Sequence, residues 1–242
     1  SPERKGGNPG DNAKSHGYDI DVDAAGNVYI TGVFMKTVDL NLDAGVQEFH
    51  VAPGTDWFNT YLIKLDTNGN TQWSRSWGGV NNTQGRGVVV NNDGDIVVGG
   101  WTDPIEMDID PGAGELLVGI PAGDPGATDD ENRQMWLSKF NSDGEIYWGH
   151  SFGSDRSDML YGLTVDLDDN IYVVGQTGES NRTASGGNWQ TNPALPAITV
   201  DGRLHGDGLV AKFNPAGDTQ WVSIFGGGGK VHLSLDAVVS NG

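Results

Sequence analysis

The stretch DTNGNTQW, residues 66–73, occurs three times in this chain in closely related form. Residues 141–148 read NSDGEIYW, and residues 214–221 read NPAGDTQW. Around each central Gly there is a Lys five residues before, a Trp four residues after and a second Gly nine residues after. The aligned residues are Lys64, Lys139 and Lys212; Gly69, Gly144 and Gly217; Trp73, Trp148 and Trp221; and Gly78, Gly153 and Gly226. Agreement at several offsets in three copies marks an internal repeat.

A second turn lies between these copies. It is found in VDAAGNVYITG (22–32), VNNDGDIVVGG (90–100) and VDLDDNIYVVG (165–175), which align on Gly26, Gly94 and Asp169. Each stretch has the pattern strand, Asx or Gly turn, strand, which is a strong hairpin signal. One unit therefore holds two hairpins. In the first unit, strand 1 is predicted to end near residue 22, and strands 2, 3 and 4 to run at about 28–31, 61–65 and 71–77.

The spacing of the turns shows where the repeat varies. From a second hairpin to the next first hairpin the distance is 25 residues, from 69 to 94 and from 144 to 169. Within a unit the two turns lie 43, 50 and 48 residues apart, from 26 to 69, 94 to 144 and 169 to 217. The variation therefore falls between the second and third strands, which we expect to be joined by a surface loop.

Four-stranded units of about 70 residues, stacked through aromatic faces, predict an all-β protein, a β-propeller of antiparallel blades. The spacing places blade 1 at 17–79, blade 2 at 80–153 and blade 3 at 154–227. Residues 1–16 are predicted to form a tail or the end of a preceding blade, and residues 228–242 the first strand of a further blade. Because propellers close with about four to eight blades, we expect a segment of a larger propeller or closure through other chains.

The composition disfavours several classes of function. The 242 residues carry 33 Asp and Glu against 14 Lys and Arg, a net charge of −19, which argues against binding to nucleic acid. The chain contains no Cys, which excludes disulfides and thiol catalysis. No apolar run reaches the length of about 18 residues that predicts a membrane span. The opening SPERKGGNPG is neither an initiator Met nor a signal peptide, so we expect a processed product or a segment of something longer.

Three stretches, DVDAAGNVYITG, YLIKLDTNGNTQWSRSWGG and MDIDPGAGE, resemble the bacterial SBBP-type β-propeller repeats. The resemblance covers about residues 17–242 and identifies the repeat type rather than a function. It implies a bacterial protein that is secreted or held at the cell surface, where this family often occurs beside adhesion modules. The third unit departs from the pattern, since it has no Asp-Pro-Gly stretch. A role shared equally by every blade is therefore not implied.

Two aligned acidic stretches, VDLNLDAG (38–45) and MDIDPGAG (107–114), suggest a cation site. Alternate residues of a strand face the same way, which pairs Asp39 with Asn41 and Asp108 with Asp110. Paired oxygen ligands suit Ca²⁺, and the best candidate is Asp108 with Asp110, with Glu115 as a third ligand. The alternative is an exposed acidic loop that holds no cation.

The connections at about 35–56, 103–133 and 178–206 all leave from one face, because each joins a second strand to a third. They carry charged and aromatic residues found in one unit only, which is typical of a binding surface. The candidate ligand-binding residues are Asp129, Asp130, Glu131, Arg182, Trp189 and His205. The alternative for Trp189 is packing onto its own loop.

Residues that recur in every unit are expected to be structural. The three repeated Lys residues are predicted to pair with an Asp such as Asp23 or Asp166. The five His residues lie in unrelated contexts, and no catalytic motif is recognised, so no residue is assigned a catalytic role.

These observations predict a non-catalytic extracellular scaffold whose long loops bind glycan or protein, with sister chains as further partners. One alternative is a polysaccharide hydrolase or lyase that uses carboxylates at the long loops. The other is a structural subunit of a cell-surface assembly.

Overall fold

The structure is a computed structural model that describes residues 13–52, 57–103, 107–118, 133–153, 157–177, 188–189, 198–199 and 207–226. Within these ranges the chain forms β-strands and turns and no helix. Three four-stranded antiparallel sheets follow one another along the chain, one for each sequence unit. The predicted all-β class and four-stranded units are thereby confirmed. Residues 228–242, predicted as a further strand, and residues 1–12 of the predicted tail lie outside the described residues.

Each unit contains four strands of one sheet and two short strands of a ribbon. Unit 1 comprises β1 (Lys14–Val22), β2 (Val28–Met35), β3 (Thr37–Asp39), β4 (Phe49–Val51), β5 (Asn59–Leu65) and β6 (Thr71–Trp77). Unit 2 comprises β7 (Thr83–Val90), β8 (Ile96–Thr102), β9 (Met107–Asp108), β10 (Leu117–Val118), β11 (Gln134–Phe140) and β12 (Ile146–Phe152). Unit 3 comprises β13 (Met159–Val165), β14 (Ile171–Thr177), β15 (Asn188–Trp189), β16 (Ile198–Thr199), β17 (Asp207–Phe213) and β18 (Thr219–Phe225).

The strands of each sheet pair in chain order. Sheet 1 has the order β1-β2-β5-β6, sheet 2 the order β7-β8-β11-β12 and sheet 3 the order β13-β14-β17-β18. The pairs β3-β4, β9-β10 and β15-β16 form ribbons 1, 2 and 3. Each ribbon lies in the connection between the second and third strands, which the sequence predicted only as a surface loop.

The hairpin turns of all three sheets are closed in the same way by an Asx side chain. In the turn 66–70 the amide of Asp66 donates to the carbonyl of Asn70 (2.9 Å), and the amide of Gly69 donates to the carbonyl of Asp66 (3.0 Å). Oδ1 of Asp66 then accepts the amides of Asn68 (2.8 Å) and Asn70 (2.9 Å). The other turns with this arrangement are 23–27, 91–95, 141–145, 166–170 and 214–218.

The fourth residue of each turn has a positive φ, which explains why it is usually Gly. At Gly69 φ is 83°. The exception is Asp169, which adopts φ 60° although it carries a side chain. Its Oδ1 accepts the backbone amide of Asn92 (3.2 Å) and the Asn92 side-chain amide (3.1 Å). The residue that breaks the Gly pattern therefore links a turn of sheet 3 to a turn of sheet 2.

Consecutive sheets pack against each other through large side chains. The side chain of Trp77, from the last strand of sheet 1, contacts Trp136 (ring centroids 6.0 Å apart) and Phe140 (5.2 Å) on the third strand of sheet 2. Phe152 of sheet 2 contacts Phe213 on the third strand of sheet 3 in the equivalent way (4.8 Å). The predicted role of the repeated aromatic residues in packing between units is confirmed at these two contacts.

The repeated Lys residues have related but not identical partners. Lys212 Nζ lies 3.7 Å from Asp166 Oδ2, as predicted, and Lys139 Nζ lies 2.9 Å from Asp95 Oδ2. Lys64 instead donates to the backbone carbonyl of Ser142 (2.9 Å), in a turn of sheet 2.

We predict that the turn carboxylates make the fold sensitive to acid. The hydrogen bonds from Asn70 lower the pKa of Asp66. Burial alone would raise the pKa of Asp23 and Asp166, but hydrogen bonds from Asn27 and Asn170 outweigh it and lower both pKa values. A carboxyl whose pKa is lowered by folding stabilises fully above its unfolded pKa of about 3.9, and the stabilisation is lost as the pH falls through the lowered value.

The test compares thermal unfolding of the wild type and Asp66→Asn at pH values on either side of about 4. Since Asn keeps the Oδ1 acceptor but cannot be protonated, the melting temperature of the variant should fall less on acidification. Asp93→Asn, which neutralises an exposed carboxylate in the turn 91–95, is the control. An equal acid-induced fall in the wild type and Asp66→Asn would contradict the prediction.

A second prediction concerns the contact between β1 and β7. Oδ2 of Asp19 accepts the amide of Val88 (2.9 Å), and Oδ2 of Asp21 accepts the amide of Val90 (2.7 Å). Two carboxylates of sheet 1 thus hold the first strand of sheet 2. Asp21→Ala leaves a partly buried amide without its acceptor, so the free energy of unfolding should fall by about 1–3 kcal/mol in urea denaturation. Asp93→Ala, with the same change in charge, should change it far less.

Candidate functional site

Most of the predicted ligand-binding residues lie outside the described part of the chain. These are Asp129, Asp130, Glu131, Arg182 and His205. Trp189 belongs to β15, where its backbone pairs with that of Ile198 in ribbon 3. The prediction for these residues is neither confirmed nor contradicted.

The predicted calcium ligands of unit 2 make hydrogen bonds that shape ribbon 2. Oδ1 of Asp108 accepts the amides of Asp110 (3.0 Å) and Leu116 (2.9 Å), and thereby closes the loop between β9 and β10. Oδ1 of Asp110 accepts the amide of Gly112 (2.7 Å). Glu115 is exposed in the same loop.

Ribbon 1 repeats this arrangement. Oδ1 of Asp39 accepts the amides of Asn41 (3.1 Å) and Glu48 (3.0 Å), and Oδ1 of Asn41 accepts the amide of Asp43 (2.9 Å). In the part of the chain that the structure describes, no three His, Asp or Glu side chains are grouped so as to hold a metal ion. The aligned acidic residues therefore have a structural role in both ribbons, and calcium binding stays a prediction.

A polar cleft lies beside ribbon 1, between sheets 1 and 2. It has a volume of about 560 Å³. Its walls come from β4 and the edge strand β6 of unit 1 and from ribbon 2 and the turn 141–145 of unit 2. The lining residues are His50, Ser74, Arg75, Ser76, Asp110, Pro111, Gly112, Ala113, Gly144, Glu145 and Ile146. We call this the His50 cleft.

The imidazole of His50 is held by two serines and one carboxylate. Nδ1 of His50 lies 2.8 Å from Ser76 Oγ, and Nε2 lies 2.7 Å from Ser74 Oγ and 3.3 Å from Glu48 Oε1. The strand register explains this geometry. His50 pairs with Val38 across ribbon 1, while Ser74 and Ser76 alternate along β6 and so share one face.

The guanidinium of Arg75 is also fixed in place at the cleft. It donates to the backbone carbonyls of Ser74 (2.9 Å) and Asp143 (3.0 Å) and lies 5.2 Å from the ring centre of Trp73. Asp110, from the loop of ribbon 2, and Glu145, from a turn of sheet 2, bring two carboxylates to the same cleft. The walls therefore offer hydrogen-bond donors and acceptors whose positions are set before any ligand enters.

The equivalent position in unit 2 is apolar. Val118 pairs with Met107 as His50 pairs with Val38, and Gly149 stands where sheet 1 has Ser74. Val118 is buried, and a Cβ on Gly149 would lie 1.8 Å from Cδ1 of Ile109. Unit 2 therefore fills with aliphatic packing the space that unit 1 lines with His50 and Ser74.

The cluster around His50 was not predicted, because the five His residues were considered one at a time and not by their positions in the repeat. The signal was available in the second strands of the ribbons. When Glu48 is aligned with Leu116, His50 aligns with Val118. Unit 1 therefore has a polar residue where unit 2 has an apolar one. Residues that differ from their own repeat at such a place are candidates for function.

The geometry suits binding better than nucleophilic catalysis. In a catalytic triad the serine and the acid contact opposite nitrogens of the histidine. In the His50 cleft Glu48 and Ser74 share Nε2, and Nδ1 is taken by Ser76. Ser74 is also only 2% exposed, which keeps its hydroxyl from a large substrate.

Comparison of the chain with models of known protein families finds no match, and comparison with curated proteins finds none either. The resemblance to SBBP-type repeats thus rests on the motifs quoted above. Within the described ranges, no helix has the length and apolar character required to cross a membrane.

Proposed function

We propose that the three sheets are successive blades of a β-propeller and that the chain serves as an extracellular, non-catalytic binding scaffold. Each sheet pairs its strands in chain order, and aromatic residues of the last strands of sheets 1 and 2 pack on the next sheet. Both features agree with blades arranged around an axis. The motifs that resemble bacterial SBBP repeats support a secreted or cell-surface location.

The ligand proposed for the His50 cleft is a glycan. The observation that carries this proposal is a cleft of about 560 Å³ lined by imidazole, hydroxyl, guanidinium and carboxylate groups. A saccharide presents many hydroxyls, each able to donate and accept, and such a mixed lining can satisfy them. Because the chain carries a net charge of −19, a neutral glycan is favoured over an anionic one.

The scaffold contributes by holding these groups still. The serines hold His50, and two backbone carbonyls hold Arg75, so little side-chain freedom is lost when a ligand binds. The cleft also lies at the connections between second and third strands, where the sequence placed the binding surface. Protein ligands and calcium-dependent binding by the remaining loops stay part of this proposal.

A second candidate function is hydrolysis or lysis of a polysaccharide. It is favoured by Asp110 and Glu145, two carboxylates that line one cleft from two segments of unit 2. Glycosidases use a pair of carboxyl groups on either side of the bond that is cleaved. Release of new reducing ends from a polysaccharide, lost in Asp110→Asn, would favour this function over simple binding.

The binding proposal predicts that His50 is required, together with Ser74, which is buried and holds the His50 ring in place. We expect the wild-type chain to bind at least one neutral glycan on an array, with and without a chelator. The double variant His50→Val with Ser74→Gly gives unit 1 the residues of unit 2, so the fold should be kept. Its affinity for that glycan, measured by calorimetry, should fall by about tenfold or more, the equivalent of about one lost hydrogen bond.

Asp93→Asn, outside the cleft, is the matched control and should bind like the wild type. The circular dichroism spectrum shows whether each variant has folded. Equal affinity of the wild type and the double variant, or no binding of the wild type to any neutral glycan, would refute the proposed role of the His50 cleft.

A further inference from the structure

The last strand of sheet 3 exposes aromatic side chains whose equivalents in the other sheets are buried or half-buried. On β18 Trp221 is 43% exposed and Phe225 is 46% exposed. The residues equivalent to Phe225 are Trp77, 5% exposed, and Phe152, 3% exposed. Trp221, Ser223 and Phe225 alternate on one face of β18, which we call the trailing face.

The first strand of sheet 1 exposes aliphatic side chains, although the residues equivalent to Ile20 in the other two sheets are buried. On β1 Ile20 is 60% exposed and Val22 is 53% exposed. The residues equivalent to Ile20 are Val88 in sheet 2 and Leu163 in sheet 3, and both are buried. Ile20 and Val22 form what we call the leading face.

The two internal contacts between sheets show what covers each face. A trailing face is covered by the third strand of the next sheet, as Trp136 and Phe140 cover Trp77. It is also covered by a turn of that sheet, since Trp73 Nε1 donates to the carbonyl of Ser142 (3.2 Å). A single added strand cannot supply both elements, so the occupant must be a complete sheet of this repeat.

A buried polar atom of sheet 3 lies at the place where a following sheet would begin, although the equivalent Asn59 of sheet 1, which sheet 2 follows, also has buried side-chain atoms without a hydrogen-bond partner among the described residues. Oδ1 of Asp207 is buried and has no hydrogen-bond partner among the described residues. In sheet 2 the equivalent Gln134 lies beside Asp158 at the start of the next sheet, since the Cβ built on Gly153 would lie within 3.0 Å of both side chains. The residue of sheet 1 equivalent to Asp158 is Ser15, which is exposed and has a hydroxyl that can donate to Asp207.

We propose that two copies of this chain associate head to tail, with the trailing face of each on the leading face of the other. Such a contact joins two different surfaces, and two identical contacts close a ring. The described residues of each chain supply three four-stranded sheets, so those of two chains supply six, within the range of about four to eight blades seen in closed propellers. The inference rests on the proposed propeller arrangement and is independent of the His50 cleft.

Charge sets the conditions for association. Each copy carries a net charge of −19, so the two copies repel each other at long range. Salt screens that repulsion, while burial of Trp221, Phe225 and Ile20 is insensitive to it. Association should therefore strengthen as the salt concentration rises.

The test is the mass of the full chain in solution, by light scattering over a range of protein and salt concentrations. We expect twice the monomer mass at high protein concentration. Phe225→Glu and Ile20→Glu should each give monomers, because each places a charge on one face. Tyr147→Glu, at an exposed residue of sheet 2, should leave the dimer unchanged.

A mixture of the two monomeric variants distinguishes head-to-tail association from other modes. Phe225→Glu keeps an intact leading face and Ile20→Glu an intact trailing face, so together they should form a mixed dimer through one contact. If either variant alone still dimerises, or if the mixture stays monomeric, the head-to-tail arrangement is wrong.

The reactivity of a single introduced thiol tests whether the trailing face is covered. The chain has no Cys, so Ser223→Cys introduces the only one. The thiol should react freely in dilute solution and be protected at concentrations where the dimer forms. A monomeric wild type at every concentration refutes the proposal, and a thiol protected in that monomer would show that the chain's own terminal segment occupies the face. Glycan binding by the Phe225→Glu variant, measured in parallel, tests the His50 cleft separately.

Discussion

The arrangement of the sheets depends on one short-range interaction, the Asx side chain that closes each hairpin turn. By accepting two backbone amides, Asp66 or Asn141 gives its turn a fixed shape and fixes the register of the strands on either side. The shape leaves the carbonyl of Ser142 free to accept Trp73 Nε1 and Lys64 Nζ from the preceding sheet. A motif of five residues therefore determines both a hairpin and its contact with a neighbouring sheet.

The contact between sheets has a direction because its two sides use different elements. The side chain of Trp77, on a last strand, meets Trp136 and Phe140 on a third strand, and Asp19 on a first strand accepts an amide from the next first strand. A stack built from such contacts has two unlike ends. The exposed aromatic residues of β18 and aliphatic residues of β1 follow from this direction, since each end keeps half of a contact.

The part of the fold that could be predicted is the part written in local, repeated patterns. Gly69 and its equivalents mark the turns, and the flanking alternation gives the four strands. The ribbons were not predicted, because β9 and β10 have only two residues each, too few to show the alternation of polar and apolar residues that marks a strand. That Asp39 and Asp108 accept hydrogen bonds from backbone amides was not predicted either, since two acidic residues have the same spacing in the sequence whether they bind Ca²⁺ or amides. The hydrogen bond between His50 and Ser74 joins residues that are 24 positions apart in the sequence, and no local pattern predicts such a contact.

The difference between units 1 and 2 argues that the His50 cluster has a use beyond stability. A Cβ at Gly149 would lie 1.8 Å from Cδ1 of Ile109, so the Ile109 side chain would have to move to admit a Ser. A His at Val118 would lack the equivalent of Ser74, although Ser151 stands where sheet 1 has Ser76. Aliphatic packing at this place is available to the fold, as unit 2 shows, and buries no polar group. A polar cluster at an open cleft in unit 1, where the repeat allows an apolar one, supports the proposal that this cleft binds a ligand.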